Sequence, residues 1–198
     1  MQIALFGTSA DPPTRAHQQV INWLGQKFEV VAVWAADNPD KTHGATLAQR
    51  AAMLEILVAE IPAPTTAKVC QQLSHRYTIR TITFAREIWP QAELVLTIGA
   101  DLVEQIERWQ GGTELLRQVN LLVIPRPGWQ LRPEMLQRLS DLGCQLQLVE
   151  ELSTLAVSST AMRQTSDLAD LRMGLTPAVT EYIDRHQLYQ RAGNYDPA

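Results

Sequence analysis

Short apolar runs alternate with longer amphipathic stretches along most of the chain. Ile3 to Phe6, Val30 to Ala35, Ala67 to Leu73, Leu94 to Ile98, Leu121 to Ile124 and Leu146 to Val149 have the length and residue types of strands. Between them, apolar positions recur at helical spacing over Ala16 to Lys27, Leu47 to Glu60, Thr78 to Ile88, Leu102 to Trp109 and Pro133 to Leu142. Strand–helix alternation of this kind predicts an α/β fold, a mostly parallel sheet with helices on both faces. The last fifty or so residues change character: SSTAMR, a second polar stretch and TPAVTEYIDRHQ read as short helices with no strand between them, a helical C-terminal cap. One domain is expected over residues 1–190, its helical portion starting at about residue 153, with a frayed tail over 191–198. In an open parallel sheet, ligands bind outside the carboxyl ends of the strands. The loops that follow strands are therefore the informative ones.

Composition narrows the choice of ligand. A chain of 198 residues, 45% hydrophobic and 19% charged, can bury a substantial core as one unit. Seventeen basic against twenty-one acidic residues give a net charge of −4, so no overall positive field exists to hold a nucleic acid. A small anion remains a candidate, because a few local cations and backbone N–H groups suffice to hold it. Cys70 and Cys144 fit no disulfide framework and no zinc spacing, which points to buried thiols in a reducing compartment. The opening MQIALFG has neither the basic region of a signal peptide nor the length of a membrane span. A cytoplasmic protein without a membrane partner is expected; a homo-oligomer is left open.

The loop after the first strand, Gly7-Thr8-Ser9-Ala10-Asp11-Pro12-Pro13-Thr14-Arg15-Ala16-His17, combines small residues with the start of a helix. Small residues let the backbone approach a phosphate, and a helix start offers free N–H groups and a positive dipole end. The pattern is neither GxGxxG nor a Walker A loop. Thr14 and His17 are three apart, a spacing that puts a hydroxyl and an imidazole on one face of the first turn. Both could meet one phosphoryl group; an ordinary helix cap and an ordinary histidine are the alternative.

Further along, Ser158, Ser159 and Thr160 precede Arg163; taken alone they read first as a plain Ser/Thr cap with a surface arginine, and otherwise as hydroxyls and a guanidinium suited to an anion. Asn38-Pro39-Asp40-Lys41 leads into a helix carrying Gln49, Arg50 and Met53. Arg76-Tyr77-Thr78, followed by Thr81, opens another helix, where Thr78 suits an N-cap and Tyr77 suits packing. Gly99-Ala100-Asp101 follows the fourth strand with Trp109 eight residues on, Asp101 as an expected helix N-cap and Trp109 as core or as a stacking surface. Arg126 lies in LLVIPRPG, after the fifth strand.

GTSADPPTRAH resembles the loop GGTFDPxHxGH of the bacterial nicotinate mononucleotide adenylyltransferases, which carry the H/TxGH motif of nucleotidylyltransferases. Thr14 stands where the first His is common, Ala16 replaces a Gly, and Thr8 and Ala10 replace a Gly and a Phe. VSSTAMR is similar to the family's ISSTxIR, the segment around Lys41 and Arg50 to its nPxK…R..M, RYT to its SYTxxTL, and Gly99-Ala100-Asp101 with Trp109 to its GxD…W. The matches follow family order from Ile3 to about Tyr189.

The resemblance implies a Rossmann-like fold and transfer of AMP from ATP to nicotinate mononucleotide, giving deamido-NAD and pyrophosphate, with Mg²⁺ delivered on ATP. It implies His17 and Thr14 as catalytic donors to the α-phosphate. ATP would be held by Gly7, Thr8, Ser9, Asp101, Arg126, Ser158, Ser159, Thr160 and Arg163, and the mononucleotide by Lys41, Arg50, Tyr77, Thr78 and Trp109. No protein metal ligands are expected. Nicotinamide mononucleotide and phosphopantetheine remain alternative acceptors, and a non-catalytic nucleotide sensor is the reading from another class.

Overall fold

The computed structural model describes residues 1–38, 41–126, 128–150, 152, 156–165 and 168–189, with Leu168 described by its main chain alone. The expected tail over 191–198 therefore lies outside the described residues. Six strands, β1 (Gln2–Thr8), β2 (Val30–Ala35), β3 (Ala67–Val69), β4 (Glu93–Gly99), β5 (Asn120–Ile124) and β6 (Leu146–Leu148), form one sheet in the order β3-β2-β1-β4-β5-β6. Every neighbouring pair is parallel. The strands are apolar at almost every position because both faces are covered. Alternate side chains divide between two cores, Ile3, Leu5, Leu94 and Leu96 on one side and Ala4, Phe6, Val31 and Val33 on the other.

Helices α1 (Arg15–Lys27) and α2 (Leu47–Ala59) cover the second face through Ile21, Leu24, Leu54 and Leu57. The first face is covered by α3 (Thr78–Ile88), α4 (Gly112–Gln118) and α5 (Pro133–Asp141) through Ile82, Ala85, Leu115, Leu116 and Leu139. Three short helices, α6 (Ser159–Gln164), α7 (Leu168–Gly174) and α8 (Pro177–Arg185), form the expected C-terminal helical portion. Val179 of α8 is fully buried in the second core. Among the described residues no helix is long and apolar enough to cross a membrane.

Two expected elements take another form. The strand expected over Ala67 to Leu73 stops at Val69, and Gln71–Leu73 is a 3-10 turn. There the Gln71 side-chain amide replaces the ladder: Ala35 N–H donates to its Oε1 and its Nε2 donates to Ala35 O, both at 2.9 Å. The α-helix expected over Leu102 to Trp109 is instead a run of tight turns, with 3-10 segments at Ala100–Leu102 and Ile106–Arg108. Val103 and Ile106 are both fully buried. Side chains three apart line up in a 3-10 turn, so i→i+3 bonding places both on the core face. α4, which the apolar pattern does not announce, follows directly. The order of strands reverses between β1 and β4, and the loops beyond their carboxyl ends open there.

Candidate active site

A cleft of about 1080 Å³ lies across these carboxyl ends, walled by the loops after β1, β2, β4 and β5, the start of α3 and the residues leading into α6. It is at the upper end of the size usual for small-molecule sites, about 300–1,000 Å³. Gly7, Thr8, Ser9 and His17 line it from the first loop, and Asp101, Trp109 and Arg126 from the loops after β4 and β5. Lys41, Tyr77 and Thr78 line another part of the wall. Ser158, Ser159, Thr160 and Arg163 close the remaining side. Ala16, where the family loop has Gly, also faces the cleft. Thr14 and Arg50 do not line the cleft.

Thr14 is fully buried and turned toward His17. Its main-chain N–H donates to His17 Nδ1 at 3.0 Å, and its Oγ1 lies 2.8 Å from the same nitrogen. A main-chain N–H is always a donor, so Nδ1 must accept and the ring proton of neutral His17 sits on Nε2. The Thr14 hydroxyl then donates to Nδ1 as well. Burial, with the Arg126 cation adding to it, lowers the His17 pKa to about 4. His17 is thus an uncharged imidazole whose tautomer is set from behind, leaving Nε2–H as its donor.

Gly7 has a role that sequence reading did not reveal. Its neighbour in register on β2 is Trp34, and a Cβ on Gly7 would come within 2.6 Å of the indole. The missing side chain is therefore filled by a buried Trp34, which itself lines the cleft. Asp101 is not a helix N-cap; Gly99 holds that position before Ala100–Leu102. Instead Arg126 Nη1 donates to Asp101 Oδ2 at 2.6 Å, while Asp101 Oδ1 is buried without a partner. A Cβ on Gly99 would come within 2.5 Å of that Oδ1, which explains the glycine. An unpaired buried carboxylate oxygen is an acceptor in wait for a hydroxyl or amine.

Tyr77, not Thr78, is the N-cap residue of α3, and Thr78 is its first helical residue. Tyr77 N–H donates to His75 Nδ1 at 3.0 Å, and the Arg76 guanidinium lies 5.2 Å from the centre of the Tyr77 ring. His75, Arg76 and Arg108 also line the cleft, none of them among the site residues expected from the sequence. Trp109 packs against the first core and also lines the cleft. Lys41 is exposed on the cleft wall; Pro39 and Asp40 of its motif lie outside the described residues.

Arg50 is a strut. Its Nη1 donates to Ser9 O at 2.7 Å and to Ala36 O at 2.9 Å, tying the loop after β1 to the loop after β2. A second junction is Asp11, 1% exposed, whose carboxylate accepts Gly44 N–H at 2.9 Å, Ala45 N–H at 3.1 Å and the Tyr189 hydroxyl at 2.8 Å. Arg163 Nη1 donates to Asp11 O and lies 3.4 Å from Asp11 Oδ2. The Arg163 guanidinium is thus held in the cleft wall from one side. Ser159 Oγ donates to Pro12 O at 2.8 Å, and Ser158 Oγ accepts Ala161 N–H as the cap of α6. Nothing local in the sequence announces the distant donors of Asp11.

A family model described as Cytidylyltransferase-like matches residues 5–165. A protein of Synechocystis sp. named "Probable nicotinate-nucleotide adenylyltransferase" is 40% identical over 204 residues, covering 96% of this chain and 100% of that protein. The chain belongs to this family, in its nicotinate-nucleotide adenylyltransferase branch. A Thermus thermophilus protein of the same name is 30% identical, covering 96% of this chain and 100% of its own length. Among solved structures, Plasmodium falciparum nicotinic acid mononucleotide adenylyltransferase complexed with NaAD superposes with a TM-score of 0.81 at 21% identity, covering 95% of this chain and 97% of that one. That likeness shows the shared fold of the family.

Proposed function

We propose that this chain transfers AMP from ATP to nicotinate mononucleotide, giving deamido-NAD and pyrophosphate. The observation that carries the reading is the neutral, rear-held His17 in a cleft that also holds Arg163, Ser158 and Thr160 on one wall and Tyr77, Thr78 and Trp109 on another. In the reaction, a 5′-phosphate oxygen of the mononucleotide forms a bond to the α-phosphorus of ATP. The bond from that phosphorus to the bridging oxygen breaks, and pyrophosphate leaves with the electron pair. The nucleophile is already an anion, so the protein's work is positioning and stabilisation of charge.

His17 Nε2–H donates to the α-phosphate, and Thr14 orients His17 rather than touching the phosphate itself. Gly7, Thr8 and Ser9 carry the ATP phosphates along the first loop, and Asp101 Oδ1 accepts from the ATP ribose with Arg126 at the adenosine end. The hydroxyls of Ser158 and Thr160, the main-chain N–H of Ser159, whose own hydroxyl proton is taken by Pro12 O, and the remaining N–H groups of Arg163 hold the outer phosphates. Lys41 neutralises the mononucleotide phosphate, Trp109 stacks on the pyridine ring, and Tyr77 and Thr78 present the start of α3 to its substituent. Arg50 supports that site from behind the wall. Among the described residues no group of three His, Cys, Asp or Glu side chains is placed to hold a metal ion. Mg²⁺ would arrive on the nucleotide's own phosphates, keep several of its waters, and neutralise charge on the leaving pyrophosphate.

The acid is the preferred acceptor because helix-start N–H groups and nearby cations favour a carboxylate over an amide. Arg76 lies on the cleft wall at that end, held over Tyr77. With ATP and Mg²⁺ matched, kcat/KM for nicotinate mononucleotide exceeds that for nicotinamide mononucleotide, and Arg76→Ala narrows the ratio by about tenfold, the scale of one charge-assisted contact. A parent that prefers the amide contradicts the acceptor assignment and leaves adenylyl transfer standing. An unchanged ratio in the variant places Arg76 outside the recognition site.

A further inference from the structure

Tyr189 is 178 positions from Asp11 in sequence, yet its hydroxyl donates a 2.8 Å hydrogen bond to Asp11 Oδ1. Its ring covers Gly44 so closely that a Cβ there would come within 2.8 Å of Cδ1 and Cε1. The Tyr189 main chain sits at φ +61°, and Gln187 at φ +52°, in the left-handed region that costs residues with a β-carbon. Such backbone persists where surrounding contacts over-determine it. Here those contacts are the bond to Asp11, the packing on Gly44, and Leu188 and Tyr189 against the second core. Burial, reinforced by the bond to Asp11, raises the pKa of the phenol, so it remains a donor.

The same carboxylate accepts the N–H groups of Gly44 and Ala45, three and four positions beyond Lys41. His43, between Lys41 and Gly44, has Nδ1 3.5 Å from Asp11 Oδ2 and lines the cleft. Tyr189 does not line the cleft, so anything it does to substrate it does through these neighbours. We propose that Tyr189 is a positioning residue for the mononucleotide: through Asp11 and Gly44 it fixes the segment that carries Lys41 and His43 on the cleft wall. This rests on the reading of Lys41 as the contact to the mononucleotide phosphate.

The test is steady-state kinetics of pyrophosphate release for the full chain and for Tyr189→Phe, Gly44→Ala, the double variant and Lys41→Ala, with Tm measured alongside. Tyr189→Phe keeps the ring and removes one hydrogen bond, and Gly44→Ala drives the ring off its seat. Each raises KM for nicotinate mononucleotide about five- to tenfold, with kcat and KM for ATP changed less than about twofold, as for a misplaced contact to one substrate. The double variant is no worse than the more affected single variant, because both break one linkage. Lys41→Ala raises the same KM. If Lys41→Ala does so and Tyr189→Phe changes neither KM, or raises both together, the proposal is overturned whatever happens to Tm. If Lys41→Ala leaves KM for the mononucleotide unchanged, the underlying assignment of Lys41 fails and the proposal falls with it.

Discussion

Replacing His17 with Ala lowers kcat by about two to four orders of magnitude, the range seen when a transition-state donor is lost. The imidazole is fixed through Nδ1 on Thr14 and lines the cleft, and Ala removes the whole ring. KM for ATP changes far less, because the outer phosphates are held elsewhere on the wall. The pH dependence separates this account from one in which a charged histidine acts. Since burial and Arg126 lower the His17 pKa to about 4, its neutral donor form persists as pH falls through the ordinary histidine range. In kcat/KM, which reports the free enzyme, the contribution of His17 is thus kept until pH falls toward about 4, where a proton on Nδ1 would break its contact with the Thr14 N–H. The effect on stability has the matching sign. Below pH 6.5 the unfolded chain takes up a proton on this side chain that the folded chain refuses until about 4, so stability declines between those values. That portion of the acid dependence disappears in His17→Ala. A variant within about threefold of the parent removes His17 from the mechanism.

Asp11→Ala should be the most destabilising change in the cleft wall. It leaves the Gly44 and Ala45 N–H groups and the Tyr189 hydroxyl without their acceptor and the Arg163 guanidinium without its ion-pair partner, although the Arg163 bond to the main-chain carbonyl of residue 11 remains. Removing one partner from a buried, charged network costs about 3–5 kcal/mol, because the groups left behind stay desolvated. For a chain of this size that corresponds to a fall in Tm of about 10 °C. Asp11→Asn keeps the shape and one acceptor oxygen, and loses less. Urea unfolding followed by circular dichroism measures both variants. An Asp11→Ala protein within about 1 kcal/mol of the parent shows that the three donors find water, and that Asp11 is no junction.

The sheet was legible because its interior strands are buried on both faces and so read as unbroken apolar runs. Where side chains took over from backbone pairing, legibility failed. Gln71 ends β3 by bonding Ala35 through its side chain, which no periodicity announces. Val103 and Ile106 have the spacing of a helix face but occupy tighter turns. α4 is only seven residues long, too short to show a period of its own.

The site divides in the same way. The loop ending in His17 and the segment before Arg163 are each contiguous in sequence, so resemblance to a family could name them, and both line one cleft. Spacing put Thr14 on the face of His17 but could not say that its hydroxyl turns back toward the ring. Arg50 carries a charge that suggests a ligand, yet its partners are two carbonyl groups of neighbouring loops. Trp34, Asp11 and Tyr189 matter through contacts made across the sheet or the whole length of the chain. Their partners become visible only once the strand order is known.

The most direct test of the central claim is to incubate the purified protein with ATP, Mg²⁺ and nicotinate mononucleotide and to quantify products by chromatography and mass spectrometry. The account predicts deamido-NAD and pyrophosphate accumulating in equal amounts, dependent on the mononucleotide, and nearly abolished in His17→Ala. Consumption of ATP to ADP and phosphate, or binding of both nucleotides with no dinucleotide formed, would contradict it.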